Sequence, residues 1–71
     1  MFRANLFKAK LAENDMNIKR LSDILGINEA TLYRKMNGTS DFTRNEIQTI
    51  KLVLRLSIDD VENIFFAKGL A

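Results

Sequence analysis

The 71-residue chain has no cysteine, no histidine, no proline and no tryptophan. Without cysteine, neither a disulfide framework nor a thiolate metal site can staple the fold, which argues against an exported mini-protein and suits a reducing cytoplasm. Without histidine, the commonest general base and zinc ligand is gone, and only scattered carboxylates, lysines and hydroxyls remain. No enzyme activity, metal or cofactor is expected. Apolar runs fall far short of the roughly 18 residues of a spanning helix, and Met1-Phe2-Arg3-Ala4-Asn5 lacks the apolar stretch of a secretory signal. The expectation is a soluble, unprocessed, full-length chain in which residues 1–71 form one domain, since this length holds a single core.

Charge of one sign is also scarce, with a net charge of +2, but its placement is uneven. Ten of the eleven Lys and Arg residues fall in positions 1–56 together with six of the nine acids, which leaves the final stretch, with Asp59, Asp60, Glu62 and Lys68, net acidic.

What is present is apolar residues at three- and four-residue spacing, so the period predicts an all-α fold of five short helices. The first, over about residues 3–14, carries Phe7 and Leu11 on one face with Leu6 beside them, and Asn14-Asp15 breaks it. Asn17 is an N-cap for a second helix whose apolar stripe is Ile18, Leu21, Ile24 and Leu25, with Gly26 supplying the left-handed end. Asn28 caps a third helix, residues 29–36, with Leu32 and Met36 inward and Asn37-Gly38 as its stop. Thr43-Arg44-Asn45-Glu46 reads as a capping box, starting a fourth helix that carries Ile47, Ile50, Val53 and Leu54 up to Leu56. Ser57 caps a fifth with Ile58, Val61, Ile64 and Phe65, ended by Gly69. Phe2, Phe7, Leu11 and Met16 are assigned to the core, because so small a chain needs every large apolar residue it has.

The informative stretch is Ile18 to Asn37, two short helices joined by a few residues with a glycine at the corner. Such a corner needs a small residue where the helices cross, and Ser22 stands there. Leu21, Leu25, Ile27 and Leu32 supply the contacts that lock the angle. The run Leu21-Ser22-Asp23-Ile24-Leu25-Gly26-Ile27-Asn28-Glu29-Ala30-Thr31-Leu32-Tyr33-Arg34-Lys35-Met36-Asn37-Gly38 resembles the signature of the Cro and lambda-type phage repressors, the Xre-type helix-turn-helix family, and the likeness extends over about residues 6–67. It departs at Ser22, where alanine is commonest, and at Lys35, where an apolar residue is usual; Met36 then fills the core.

The resemblance implies a compact five-helix, lambda-repressor-like DNA-binding domain whose second and third helices form the helix-turn-helix, with the third in a major groove of an operator. Carried over position by position, Asn28, Glu29, Ala30, Thr31 and Arg34 face the bases or nearby phosphates. Arg34 suits guanine O6 and N7, Asn28 adenine N6 and N7, Glu29 cytosine N4, and Ala30 or the Thr31 methyl a thymine methyl. Tyr33 can bond a phosphate. Further phosphate contacts are expected near the starts of the second and fourth helices, from Asn17, Lys19, Asn37, Thr39, Ser40, Thr43 and Arg44. In the family, a basic residue just after the recognition helix approaches the minor groove or backbone, and Arg44 matches that position. The implied setting is the bacterial host cytoplasm, in association with the nucleoid, and the implied partner is double-stranded DNA.

Plainer readings stand beside these. Lys19 and Arg20 also suit a solvated helix surface, and Glu29 suits a first-turn charge on the helix dipole. Adjacent Phe65 and Phe66 point about 100° apart on a helix, so one of them leaves the core. With Leu70 it forms a candidate homodimer surface, or it packs under the tail. The alternative function is a protein-binding module on the same fold, antitoxin-like or bound by an anti-repressor.

Overall fold

The computed structural model describes residues 2–66. They form five helices and, among the described residues, no strand: α1 Ala4–Glu13, α2 Ile18–Leu25, α3 Glu29–Met36, α4 Arg44–Val53 and α5 Ile58–Phe65. Four of the five starts are capped by a side chain accepting a first-turn N–H: Asn17, Asn28, Thr43 and Ser57, the last two in full capping boxes. The exception is α1, whose entry is tied down from elsewhere by the Arg3 backbone N–H donating to the Ile64 carbonyl of α5 at 2.8 Å.

The ends of the first four helices share one device. A residue in the left-handed region turns the chain, and the next N–H reaches back to a carbonyl in the last turn. Gly26 (φ 72°) and Gly38 (φ 84°) do this for α2 and α3, with Ile27 bonded to Ser22 at 3.0 Å and Thr39 to Arg34 at 2.9 Å. In α1 and α4 the turning residue is not glycine but Asp15 (φ 52°) and Arg55 (φ 54°). There Met16 bonds to Leu11 and Leu56 to Lys51, each at 2.9 Å. Helix four therefore stops at Val53 rather than continuing to Leu56. The reversal at Arg55 lets Leu54 and Leu56 both enter the core, which an unbroken helix would forbid two positions apart.

That core consists of Phe7 and Leu11 from α1, Leu21 from α2, Leu32 and Met36 from α3, Ile50 from α4, Leu54 and Leu56 after it, and Ile64 and Phe65 from α5. Phe2 and Met16, assigned to the core from sequence, pack against it partly buried. Each fully buried side chain of this size contributes about 1.5–3 kcal/mol. At one end Phe2, Phe7, Phe42 and Phe65 make an aromatic cluster, with the Phe2 centroid 5.2 Å from Phe7, 5.1 Å from Phe42 and 5.4 Å from Phe65. Phe42, in the loop between α3 and α4, is thus a packing residue.

Two expected core positions lie outside it. Ile24 is exposed, because Leu21, Ser22, Leu25 and Ile18 share an arc of about 100° that faces the core and Ile24 falls beyond it. Ile58, in the first turn of α5, is 71% exposed, the core being served by Ile64 and Phe65 from the last turn. Polar ties complete the frame. Asn14 donates to the carbonyls of Lys10 (2.8 Å) and Leu54 (3.0 Å), joining the ends of α1 and α4, and Lys10 reaches Asp60 of α5 at 3.6 Å.

Candidate nucleic-acid interface

Helices α2 and α3 pack against one another across the three-residue corner Gly26-Ile27-Asn28. Gly26 takes the left-handed conformation that an L side chain would resist, and nothing lies within 4 Å of where its Cβ would be, so the need for glycine there is purely a backbone matter. Ser22 is buried, and its hydroxyl donates to the Lys19 carbonyl at 2.7 Å, so the small polar side chain at the crossing is satisfied within its own helix. Leu21 and Leu32 are buried, with Leu25 and Ile27 half-buried around them.

Leu32 and Met36 anchor α3 by one side, which leaves Asn28, Glu29, Ala30, Tyr33 and Arg34 exposed and Thr31 half-buried. The Asn28 side-chain carbonyl oxygen accepts from the Thr31 N–H at 2.7 Å, which fixes the side chain and leaves its NH2 outside the cap. The Arg34 guanidinium donates to Thr31 Oγ1 at 3.1 Å. Thr31 thus holds the arginine from one side while its remaining donors stay in solvent. Glu29 lies in the first turn of α3, where its charge suits the helix dipole.

The residues named for phosphate contact, Asn17, Lys19, Tyr33, Asn37, Thr39, Ser40, Thr43 and Arg44, are all exposed. Asn17 accepts from the Arg20 N–H at 2.8 Å at the start of α2, and Thr43 accepts from the Glu46 N–H at 3.1 Å at the start of α4. Asn37, Thr39 and Ser40 lie on the loop between α3 and α4, whose first turn is held by the Thr39 and Ser40 N–H groups on the Arg34 carbonyl.

Lys35 does not join the exposed face of α3. Its ammonium turns toward α4, donating to Glu46 Oε1 at 2.8 Å and to the Asp41 carbonyl at 3.0 Å, and lies 6.0 Å from the Phe42 ring centroid. The two side chains of the pair are only 10% and 13% exposed. Met36 fills the adjoining core position. Burial by itself would push the Glu46 carboxyl up, but the hydrogen bonds from Lys35 and Thr43, with the Lys35 charge, outweigh it and hold the group below its ordinary value of 4.5. Sequence reasoning found Glu46 as a capping residue and Lys35 as a departure from the family pattern. Nothing in their eleven-residue separation announced that they meet.

Of the pair at the end of α5, Phe65 is in the core and so cannot form an association surface, whereas Phe66 is 53% exposed. Leu70, the third residue named for that surface, and Gly69, the expected helix stop, lie outside the described residues. Phe66 lines a groove of about 440 Å³ between α4 and α5, together with Ile47, Lys51, Ile58, Val61 and Glu62. Among the described residues no helix is long and apolar enough to cross a membrane, and no group of three or more acidic, His or Cys side chains is placed to hold a metal ion.

Among known proteins, a family model for the Cro/C1-type HTH DNA-binding domain matches residues 7–65, well over half of the chain. No curated protein matches the chain, and no solved structure does. The matched span opens at the first core residue of α1 and closes at the last core residue of α5, with the α2-α3 corner inside it. By its corner, its five helices and this match, the chain belongs to the Cro/C1-type helix-turn-helix DNA-binding domain family.

Proposed function

We propose that the chain is a sequence-specific transcriptional regulator of the phage Cro or repressor type, one domain over residues 1–71, which binds a short operator and blocks polymerase by occupying it. The observation that carries this reading is the outer face of α3. It is anchored by Leu32 and Met36, and it offers Asn28, Ala30 and Arg34 to solvent rather than a plain Glu-Lys pattern. In a major groove those side chains read base edges, with Arg34 on guanine as the leading contact. Asn17, Lys19, Tyr33, Asn37, Thr39, Ser40, Thr43 and Arg44 then hold the flanking phosphates and set the register without reading sequence.

The same reading makes the DNA-bound form a homodimer. The α4-α5 groove is lined by the apolar Ile47, Ile58, Val61 and Phe66 together with the charged Arg44, Lys51 and Glu62. A second copy related by a two-fold axis would match opposite charges over an apolar centre. Its place of action is the bacterial cytoplasm, on the nucleoid.

Selection of bound duplexes from a random pool tests this directly. The expected outcome is a short motif repeated as two half-sites about one helical turn apart. If about five phosphates are neutralised per bound unit, the affinity should fall with salt at a log-log slope near about −4 to −5. Recovery of no motif, or binding that ignores salt, refutes the proposal.

A further inference from the structure

We propose that Lys35 and Glu46 form a strut that sets the α3-α4 loop against the DNA backbone, so that Lys35 is a positioning residue and not a DNA contact. This rests on the reading of the loop as a phosphate-binding segment.

The loop runs from Asn37 to Thr43 with no helix of its own, and it carries four of the candidate phosphate groups, Asn37, Thr39, Ser40 and Thr43. Its beginning is held by the Arg34 carbonyl and its end by the capping box. Between those points lie the Lys35 bond to the Asp41 carbonyl and the packing of Phe42 beside the same ammonium. A single carboxylate oxygen, Glu46 Oε1, accepts from Lys35 Nζ at 2.8 Å and from the Thr43 N–H at 2.8 Å. The last turn of the reading helix and the first turn of α4 therefore meet on one atom. Anything that frees that atom loosens the loop relative to α3.

Burial separates this role from direct contact. With both side chains mostly out of solvent and Lys35 spent on two acceptors, its charge cannot reach a phosphate without abandoning Glu46. Electrostatically the pair sums to zero, so it adds nothing to the attraction between protein and DNA. The two roles consequently predict opposite signs for one substitution. If Lys35 served DNA directly, neutralising the neighbouring carboxylate would strengthen binding. If the pair is a strut, the same change weakens it.

The test is binding of the full chain to a random-sequence duplex of about 20 base pairs, followed by fluorescence anisotropy from about 50 to about 200 mM salt. The variants are Lys35→Met, which keeps the apolar stem beside Phe42, Glu46→Gln, which keeps an acceptor for the cap, and the two combined. The combination, which leaves net charge unchanged, is expected to weaken binding about 5- to 10-fold, Lys35→Met somewhat more because it also uncovers the Glu46 charge, and Glu46→Gln somewhat less; the two single losses do not add, because one strut is removed in all three. For the combined variant, whose net charge equals that of the wild type, the salt slope should stay unchanged, because Asn37, Thr39, Ser40 and Thr43 are uncharged and release no counterions, and denaturant melts of each variant show whether the folded fraction has fallen instead. Additive effects, or Glu46→Gln binding as well as or better than the wild type, overturn the strut. Should Lys35→Met fail to fold, the sign for Glu46→Gln still decides. A wild-type chain that binds no duplex would instead overturn the DNA reading, and the strut's role with it.

Discussion

Arg34 offers the sharpest perturbation of the α3 surface. It is exposed, and its guanidinium bonds the neighbouring Thr31 hydroxyl at 3.1 Å, so Arg34→Ala should change folding stability by no more than about 0.5 kcal/mol. A bidentate guanidinium-guanine pair is worth about 1–3 kcal/mol of discrimination, which is about 5- to 150-fold between the preferred base pair and its substitutes. Arg34→Ala should erase that preference at one position of the selected motif while leaving the others. Arg34→Lys keeps the charge but not the planar fork, so it should retain the salt slope and still lose the preference. Thr31→Val removes only the hydroxyl that orients the guanidinium, and should cost about 0.5–1 kcal/mol of the same discrimination. Anisotropy titrations on the selected duplex and on its single-base variants measure all three. Uniform weakening across every duplex, with the salt slope falling by about 0.9, would make Arg34 a phosphate contact and remove it from the set that reads bases.

Three further outcomes follow from the backbone and the carboxylates. Gly26→Ala should lower stability by about 1–2 kcal/mol, read by denaturant melts, since only the left-handed φ opposes it and no neighbour clashes. Arg55→Gly should instead raise stability by about 0.5 kcal/mol, the relief of a left-handed arginine exceeding the added freedom of glycine in the unfolded chain, and Asp15→Gly should gain less because aspartate tolerates that region better. Glu46 and Asp60 are both held below their ordinary values of 4.5 and 3.8, Glu46 against the pull of burial by Lys35 and Thr43, Asp60 by the Ser57 N–H first. Their contribution is therefore complete above those ordinary values and is lost as pH falls through the lower folded ones. Melting temperature should be flat from about pH 8 to about pH 5, there being no histidine to titrate, and should fall below about pH 4.5. The stability gap between wild type and Glu46→Gln should narrow over the same acid range, and a gap that widens there would contradict the assignment.

Legibility in the sequence tracked how local each cause was. Asn17, Asn28, Thr43 and Ser57 cap helices within three residues of themselves, and Gly26 and Gly38 turn the chain where they stand, so those boundaries could be read directly. The end of α4 could not, because Arg55 performs a glycine's turn without a glycine's signature, and what holds it there is the burial of Leu54 and Leu56 on either side. Ile24 and Ile58 fit the helical period equally well whether inside or out. Their exposure depends on where the other helices lie.

The same division runs through the interface. Local spacing was enough for the five helices, the glycine corner and the outward set on α3, because periodicity and capping act over a turn or two of chain. Tertiary packing was needed to send Phe65 in while Phe66 stays out, and to give Lys35, which stands where the family usually carries an apolar residue, its partner Glu46. A helix presents a continuous ring of directions, and which of them count as inside is set by neighbours that are distant in sequence. For Lys35 that neighbour is a carboxylate eleven residues away, brought within 2.8 Å by the turn at Gly38 and the packing of Phe42.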